Sequence, residues 1–240
     1  MSSYEARIEM ANNHIEAGLS AGVPAVLEAG GGLATHVRLR RPHTTVVVDI
    51  SAEQLSRNKY ADEKILGDIQ DPGIFTRKFD LIVCWDVLEH LPHPSRAIDN
   101  MIDSLAEAGL LVLAAPNPLS AKGLVTRFTP HWIHVWYYRR VLGDKLAGQG
   151  DRLPFRTYLK AAMSPNAILT KARSNHLNVL FSLSYVGPEV ESLQKKLPGL
   201  FWLYQLPVTL VRMLTFGKVE LGNTDFIVIL QKKPVPALTA

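Results

Sequence analysis

Apolar runs alternate with segments of helical spacing along the first half of the chain. The runs that predict β-strands lie at residues 25–27, 46–50, 64–66, 81–85 and 110–115. Their nearly continuous Val, Ile and Leu content is typical of parallel strands that are buried on both faces. The segments 50–60 and 95–105 between them have helical spacing, and Ser51 followed by Gln54 resembles a capping box. The alternation predicts a parallel sheet with helices on both faces.

The pattern changes after the fifth predicted strand. Prolines punctuate an aromatic and basic stretch there, which predicts an irregular lid over residues 119–165. A helix over 165–175 and strands near 179–185 and over 225–231 follow. These segments predict an α/β fold with a seven-stranded, mostly parallel sheet. The lid would be inserted after the fifth strand, and an apolar helical insertion would precede the last.

The length favours a single domain. A chain of 240 residues suits one α/β domain with a full core better than two domains. We divide this domain into a core at 1–118, the lid at 119–165, and a C-terminal part at 166–240 that completes the sheet. The apolar insertion lies at 186–222. The composition, 47% hydrophobic and 20% charged, is that of an ordinary globular protein.

The N-terminal sequence predicts a cytoplasmic protein, because it lacks the basic start and apolar stretch of a secretory signal. The chain has one cysteine, Cys84, which lies in an apolar run. A single thiol cannot form an internal disulfide. Neither thiol chemistry nor a cysteine zinc site is indicated.

The net charge of +4 conceals two oppositely charged halves. Residues 1–118 contain 10 Lys and Arg against 16 Asp and Glu, whereas residues 119–240 contain 16 against 6. Clustered positive charge can attract phosphate on nucleic acid, a lipid headgroup or a sugar nucleotide, or it can simply face solvent. Charge alone does not choose among these partners.

The segment 197–214, LPGLFWLYQLPVTLVRML, is strongly apolar but interrupted by Pro198, Pro207 and Arg212. It is too short and too interrupted to span a bilayer, which needs about 20 apolar residues. We expect it either to pack as a core or homodimer helix, or to lie at a membrane surface. The second interpretation implies peripheral attachment at the inner face of the membrane.

A glycine turn follows the first predicted strand, in the sequence VLEAGGGLAT at 26–35. Glycine at Gly30 and Gly32 lets the backbone turn sharply and approach a ligand at the start of a helix. Asp49, at the end of the second strand, could accept hydrogen bonds from two ribose hydroxyls. A nicotinamide site shares these features, but its G-x-G-x-x-G pattern needs a third glycine where Thr35 stands.

The first motif, Glu28-x-Gly30-x-Gly32-x-Ala34, is similar to the E/D-x-G-x-G-x-G of the Rossmann-like (class I) S-adenosylmethionine-dependent methyltransferases. Alanine replaces the last glycine. The resemblance is to the small-molecule, type 11/12-like branch of this family.

Later motifs resemble the same family in the same order. Asp49 matches its ribose acid, and Asp68 in LGDIQD matches the acid that usually meets the adenine amino group. FDLIVCWDVLEHL at 79–91 resembles its fourth-strand motif, and AGLLVLAAPNP at 108–118 resembles its fifth strand and exit loop. The similarity covers about 120 residues, which is more specific than any single motif.

The resemblance implies S-adenosylmethionine as the cofactor. The implied cofactor-binding residues are Glu28, Gly30, Gly32, Asp49, Ile50, Asp68, Ile69 and Cys84. Ile50 and Ile69 would pack on the adenine. Structural alternatives exist, because Gly30 could allow close helix packing, Asp68 could cap a turn, and Glu28 could pair with a neighbouring base.

Methyl transfer from a sulfonium requires chiefly a well-placed nucleophile, because the donor is already activated. A hydroxyl acceptor must also lose its proton, and histidine is the usual base near neutral pH. We therefore predict His90, His131 and His134 as catalytic residues, the first after the fourth strand and the others in the lid. The alternative for His90 is bonding to local backbone, and the alternative for His131 and His134 is a place on the lid surface or in the core.

The residues Asp86-x-x-Glu89-His90 resemble the E-x-x-E-H of ubiquinone-pathway O-methyltransferases and small-RNA 2′-O-methyltransferases, which bind a divalent metal. The resemblance implies Asp86, Glu89 and His90 as ligands of an ion such as magnesium, completed by a lid histidine. Many relatives carry D-V-L-E-H-L without evident metal. Metal-free transfer is therefore the alternative.

The lid interleaves basic residues with Trp132, Trp136, Tyr137 and Tyr138. Aromatic faces suit sugar rings or acyl chains, and arginines suit phosphate. The same mixture could stack RNA bases, but no RNA-binding module is recognisable, so a nucleic acid partner is not expected. We expect O-methylation of a glycan, a lipid-linked intermediate or a specialised metabolite. The alternatives are an RNA methyltransferase and a non-catalytic protein that binds S-adenosylmethionine.

Overall fold

A computed structural model describes residues 3–33, 35–140, 143–150, 152, 154–196, 198–217 and 220–234. The strands are β1 Ala25–Ala29, β2 Thr44–Asp49, β3 Glu63–Leu66, β4 Phe79–Trp85, β5 Leu105–Pro116, β6 Leu177–Tyr185 and β7 Asp225–Lys232. The helices are α1 Ser3–Gly18, α2 Ala52–Arg57, α3 Pro94–Asp103, α4 Ala121–Phe128, α5 His131–Arg140, α6 Pro165–Ser174, α7 Pro188–Lys196 and α8 Pro198–Leu214. Ala34 of the first motif and Leu197 of the apolar segment lie outside the described residues.

The described strands form one sheet in the order β3-β2-β1-β4-β5-β7-β6. The pairs from β3 across to β5 are parallel. β7 runs antiparallel to both of its neighbours, β5 and β6. The predicted seven-stranded, mostly parallel, Rossmann-like sheet is therefore confirmed, with strand ends that extend beyond several of the predicted segments.

Hydrophobic side chains pack on both faces of this sheet. On one face, Leu27 belongs to a cluster with Ile98 of α3 and Ile168 of α6. On the other face, Val26 belongs to a cluster with Ile15 of α1. Successive strand residues point to opposite faces, so apolar runs without alternation are needed to supply both clusters.

The helix after β2 is shorter than the segment 50–60 that its spacing predicts. Ser51 caps α2 by accepting a hydrogen bond from the Gln54 N–H, which is half of the expected capping box. The helix ends at Asn58, whose backbone is extended. The Asn58 side chain accepts hydrogen bonds from the backbone of the following turn. An asparagine side chain competes in this way with further helical turns.

The lid contains two helices, so the prediction of an irregular segment over 119–165 was wrong. Ser120 caps α4 by accepting a hydrogen bond from the Gly123 N–H. Pro130 immediately precedes α5, where a missing backbone N–H leaves no helical hydrogen bond unmade. Prolines in this region mark helix boundaries. After the helices, the chain continues without regular structure over 154–160.

Two helices, α7 and α8, occupy the predicted insertion before β7. α8 has 17 residues and continues through Pro207, which the sequence predicted would interrupt it. Within the described part of the chain, no helix combines the length and the apolar character that crossing a membrane requires.

Candidate active site

The strand order reverses between β1 and β4. From β1 the chain moves outward to β2 and β3, and then returns to β4 on the other side of β1. In open α/β sheets, such a switch point leaves a crevice beyond the carboxyl ends of the strands, where ligands bind. The turn at Gly30 leaves β1 at this edge, and Asp86 leaves β4 beside it. The first and fourth motifs therefore meet at one crevice.

The glycine turn packs closely against the chain that leaves β4. Gly30 has φ of 77° and Gly32 has φ of 46°, both in the left-handed region. A Cβ on Gly30 would lie 2.7 Å from each Cγ atom of Val87. At Gly32, a Cβ would meet the Gln54 side chain. Glycine is thus required by both backbone conformation and packing, and the close packing that we considered for Gly30 is present.

Asp49 connects the glycine turn to the second strand. Its Oδ2 accepts a hydrogen bond from the Gly32 N–H at 3.0 Å, and its Oδ1 accepts one from the Ser51 N–H at 2.8 Å. The buried Asn58 Nδ2 donates to the Gly32 carbonyl at 2.7 Å. Sequence reasoning missed Asn58. A carboxylate offers about four acceptor positions, so Asp49 keeps capacity for ribose hydroxyls.

Two apolar side chains are exposed where β2 and β3 end. Ile50 is 73% exposed and Leu66 is 61% exposed. Such side chains can cover one face of a purine ring. Ile69, which we predicted to pack beside Ile50, is only 3% exposed and lies in the core. Leu66, which sequence reasoning did not select, is available instead.

The Asp68 carboxylate is used within its own turn. It accepts a hydrogen bond from the Gln70 N–H at 2.8 Å and two from the Gln70 side-chain amide at 3.0 and 2.9 Å. The turn-capping alternative is therefore present. One acceptor position of the carboxylate remains, and Asp68 is only partly buried. It can still accept a hydrogen bond from an exocyclic amine.

Glu28 and Cys84 lie beneath the crevice. Burial raises the pKa of Glu28 to about 7, although a hydrogen bond from the Thr35 hydroxyl acts in the opposite direction. Glu28 therefore pairs with a hydroxyl rather than with the neighbouring base that we considered. The Cys84 side chain is fully buried, and burial raises the pKa of its thiol far above the ordinary value. Only its backbone could border a cofactor.

Asp86 directly follows β4, at the edge of the sheet where the crevice is expected. Its side chain is exposed to solvent, yet burial by the surrounding protein, together with Asp225 and Glu189, raises its pKa to about 6. Accessibility combined with desolvation is expected at the bottom of a concave site. Among the described residues, the Asp86 carboxylate has no hydrogen-bond or ion-pair partner. Its φ of 54° places it in the left-handed region, which aspartate tolerates.

Charged and phenolic groups surround Asp86. Lys122 of α4 forms an ion pair with Glu189 of α7 at 2.9 Å. Burial raises the pKa of Asp225, at the start of β7, while Lys122 opposes this rise. On the α1 side, burial and the nearby Asp86 raise the pKa of Tyr4. Sequence reasoning selected none of these neighbours, which come from four distant segments.

The predicted base His90 is held under the lid. Its Nδ1 lies 2.9 Å from the Arg156 carbonyl oxygen, which can only accept, so Nδ1 carries the proton. The Phe155 ring meets the imidazole edge-on at 5.8 Å. Nε2 lies 3.8 Å from Glu89, a carboxyl whose pKa burial and Asp86 raise well above its ordinary value. Burial lowers the pKa of His90 itself.

The two lid histidines lie on α5. His131 is its first residue, and the Nε2 of His134 is buried without a hydrogen-bond partner among the described residues. No hydrogen bond or ring contact in the described part of the chain joins either imidazole to Asp86 or His90. Their catalytic role stays a prediction.

The structure does not support the predicted metal site. Within the described residues, no three His, Cys, Asp or Glu side chains form a group that could hold a metal ion. Of the implied ligands, His90 and Glu89 lie together, with His90 Nε2 3.8 Å from a Glu89 carboxylate oxygen. Among the described residues, no hydrogen bond or ion pair joins Asp86 or a lid histidine to these two side chains.

The comparison with protein families decides the class of the protein. The methyltransferase domain family matches residues 9–152, more than half of the chain. The chain belongs to the methyltransferase domain family. It is an S-adenosylmethionine-dependent methyltransferase of class I, as the resemblance predicted.

Curated proteins match a shorter part of this methyltransferase. An uncharacterized protein of Methanocaldococcus jannaschii is 30% identical over 92 residues, which are 38% of this chain and 40% of that protein. A ubiquinone biosynthesis O-methyltransferase of Psychrobacter arcticus is 26% identical over 98 residues, which are 37% of this chain and 38% of that enzyme. The matches thus span about two fifths of these relatives' lengths.

Solved structures share the fold over nearly the whole chain. The N-methyltransferase NodS of Bradyrhizobium japonicum has a TM-score of 0.52 at 13% identity, with 96% of both chains covered. Magnesium protoporphyrin IX methyltransferase of Synechocystis, with bound S-adenosylhomocysteine, has a TM-score of 0.52 at 13% identity and coverage of 96% and 84%. At these identities the similarity shows the fold alone.

The residues at the crevice fit S-adenosylmethionine, the cofactor of this methyltransferase. Asp49 retains acceptor capacity beside the glycine turn, and Ile50 and Leu66 leave an apolar surface uncovered next to it. A ribose and a purine need these two features side by side. Asp86 stands on the opposite side of the switch point, where the transferred group would meet an acceptor.

Proposed function

We propose that this methyltransferase methylates a hydroxyl oxygen of a small or lipid-linked acceptor, with Asp86 as the general base. The acceptor would be a glycan, a lipid-linked intermediate or a specialised metabolite. The observation that carries the proposal is the Asp86 carboxylate, which is accessible to solvent, has no partner among the described residues, and has a pKa raised to about 6.

A base with this pKa suits the reaction. S-adenosylmethionine supplies a methyl group that is activated by its positive sulfur. An alcohol is a weak nucleophile until its proton is removed, and a base is most effective when its pKa lies near the working pH. Asp86 is largely ionised at neutral pH and more basic than an ordinary aspartate.

His90 is the less suitable base in this structure. Its protonated Nδ1 is committed to the Arg156 carbonyl, and its free Nε2 is directed at Glu89. Nearby, the Tyr158 N–H donates to the Glu89 carbonyl at 2.7 Å. We infer that His90 is a positioning residue, which holds the lid segment 154–160 against the chain leaving β4.

The proposed cofactor contacts follow the same geometry. Asp49 would accept the ribose hydroxyls, and Asp68 would accept the adenine amine through its remaining acceptor position. Ile50 and Leu66 would cover the purine face. The turn at Gly30 would border the methionine portion, since its backbone approaches Val87 at the switch point.

One observation favours an oxygen acceptor. The relative from Psychrobacter arcticus is named as an O-methyltransferase, and a carboxylate base would remove the proton that a hydroxyl must lose. RNA methylation and non-catalytic binding remain as alternatives that experiments separate. The first predicts a steep loss of binding with added salt. The second predicts cofactor binding without turnover.

The test compares Asp86→Asn with two matched variants. His90→Gln removes the competing base, and Asp103→Asn removes an exposed carboxylate at the far end of α3. Release of S-adenosylhomocysteine is followed against a panel of hydroxyl- and amine-bearing acceptors, and cofactor affinity is measured by calorimetry. We expect Asp86→Asn to lower kcat by about 100-fold or more with cofactor affinity nearly unchanged.

The pH profile distinguishes the two bases. In the wild type, kcat/KM should rise as the pH increases through about 6, because Asp86 must be ionised. This rise should persist in His90→Gln and Asp103→Asn and should be lost in Asp86→Asn. Full activity of Asp86→Asn, or loss of the rise only in His90→Gln, would show that Asp86 is not the base. Methylation confined to amines would refute the oxygen acceptor.

A further inference from the structure

The outward side of α8 is apolar along its length. Trp202, Leu203, Leu206, Leu210, Met213 and Leu214 are between 47% and 70% exposed. Its inward side carries Val208, which is 7% exposed, and Tyr204, which lies against the Lys122 backbone of α4. A helix that packs on a protein body ordinarily turns charged residues to water. Here the only charged residue of α8 is Arg212.

The neighbouring lid helices extend this apolar surface. On α4 and α5, the exposed large side chains are Val125, Phe128, Trp132, Trp136 and Tyr137, between 46% and 78% exposed. α5 begins three residues after α4 ends, α8 packs on α7, and Tyr204 of α8 lies against the Lys122 backbone of α4. We call the exposed sides of α4, α5 and α8 the amphipathic face. Several exposed Trp and Leu residues on adjacent helices exceed the scattered apolar residues of a normal surface.

The charges on the amphipathic face have one sign. The sequences of α4, α5 and α8 contain Lys122, Arg127, Arg139, Arg140 and Arg212, and no Asp or Glu. Lys122 pairs with Glu189 and Arg212 with Glu220 at 3.2 Å, both from adjoining segments. Arg127, Arg139 and Arg140 have no acidic partner among the described residues, and a two-fold dimer would bring them against one another in an apolar interface. An anionic layer supplies the missing counter-charge. Aromatic and basic residues together are also the composition that interfacial helices use.

We propose that the amphipathic face docks on an anionic phospholipid surface. The exposed leucines and tryptophans would enter the boundary between headgroups and acyl chains, while arginines such as Arg127 and Arg140 would contact lipid phosphates. Lys122, at the base of α4, is also a neighbour of Asp86, so docking places the membrane beside the crevice. The docking does not rest on the proposed function, because it requires neither cofactor nor acceptor.

The test is flotation of the full chain with vesicles. Phosphatidylcholine vesicles containing about 30 mol% phosphatidylglycerol are compared with pure phosphatidylcholine vesicles at about 0.1 M salt. Wild type should float with the anionic vesicles only. Arg127→Gln combined with Arg140→Gln should weaken binding by roughly 30-fold, because each cation near the surface contributes roughly a fivefold factor. Binding that is equal to both vesicle types would overturn the proposal.

Apolar contact is tested by the triple variant Leu203→Glu, Leu210→Glu and Met213→Glu. These side chains are exposed, so the variant should keep the wild-type melting temperature and affinity for S-adenosylmethionine. Its vesicle binding should weaken by roughly 1000-fold or more, since three apolar side chains that would be buried in the lipid are removed. The control, Met10→Glu with Val23→Glu, alters residues that are 47% and 65% exposed outside the amphipathic face, and it should bind like wild type.

Two further outcomes would overturn the proposal. One is a wild-type chain that fails to float with anionic vesicles. The other is a stable wild-type dimer in sedimentation equilibrium that the triple variant dissociates, which would assign the face to a second copy of the chain. Because binding is measured without turnover, a protein that floats but does not methylate would leave the docking supported and the proposed function refuted.

Discussion

Replacing Gly30 by alanine measures how tightly the cofactor turn is packed against the chain leaving β4. Two costs combine at this position. The φ of 77° costs a residue with a Cβ about 1–2 kcal/mol. The new Cβ would also lie 2.7 Å from both Cγ atoms of Val87, and such overpacking costs about 1–3 kcal/mol. The free energy of unfolding should therefore fall by about 2–5 kcal/mol, which leaves an ordinary domain folded.

The chain offers a matched control for the backbone cost. Gly73 has φ of 76°, and a Cβ there would have no neighbour within 4 Å. Gly73→Ala should therefore lose only about 1–2 kcal/mol. Val87→Ala, which removes both Cγ atoms, should relieve the contact in the double variant. Urea denaturation should be compared for the wild type, Gly30→Ala, Val87→Ala and the double variant. The double variant should lose about 1–3 kcal/mol less stability than the sum of the losses in the two single variants.

Cofactor affinity should depend on the contact between residue 30 and Val87, and not on the backbone strain at residue 30. The alanine at position 30 pushes against Val87 and against the turn whose Gly32 N–H binds Asp49. Calorimetry should show S-adenosylmethionine binding weakened by about tenfold or more in Gly30→Ala, partly restored by Val87→Ala, and unchanged in Gly73→Ala. Equal losses of stability in Gly30→Ala and Gly73→Ala, or no coupling with Val87→Ala, would refute this reasoning.

Two further changes test the residues around the turn. The pKa of Glu28 is raised from 4.5 to about 7, so the folded protein holds a proton that the unfolded chain loses first, and Glu28 should contribute a loss of about 3 kcal/mol of stability as the pH rises across this interval. Asp86 and Glu89 also have raised pKa values, so both proteins should lose stability, but denaturation at about pH 5 and pH 8 should show a loss about 3 kcal/mol smaller in Glu28→Gln. Equal losses in the two proteins would contradict this. Asp49→Ala should weaken cofactor binding by about 30-fold or more, because two charge-assisted backbone contacts also disappear. The cofactor affinity of Asp49→Asn should lie between those of wild type and Asp49→Ala. If calorimetry showed that Asp49→Ala binds the cofactor as tightly as wild type, a ribose-binding role for Asp49 would be excluded.

The sequence predicted the sheet well, because parallel strands are buried on both faces and need continuous apolar runs. It predicted the lid poorly, because Pro130 was taken as a sign of irregular structure although it stands at the start of a helix. The end of α2 was also missed. It depends on the Asn58 side chain, which accepts hydrogen bonds from the following turn and also donates to the carbonyl of Gly32, 26 residues earlier in the chain. The second contact is long-range and leaves no periodic signal.

The sequence indicated which residues would come together more readily than what they would do. Asp49 and the glycines follow their strands as the family motif implies, and the structure brings them together. The resemblance implied Asp86 as a metal ligand, whereas we propose it as a base because of its exposure and raised pKa. Its neighbours Lys122 and Asp225 lie in segments far apart in the chain. A pKa shift is a sum over such spatial neighbours, and no local pattern encodes it.

The five residues from Asp86 to His90 form a motif that could be recognised in the sequence, although the roles of its residues could not be predicted from it. One side of this segment packs on the glycine turn through Val87, and the other side bonds to the lid through His90 and the Glu89 carbonyl. Asp86 directly precedes both attachments in the chain and has an accessible carboxylate. A displacement on either side would therefore move the carboxylate relative to the crevice, and proton transfer tolerates little such movement. The sequence shows the five residues together, but their effect depends on what they contact.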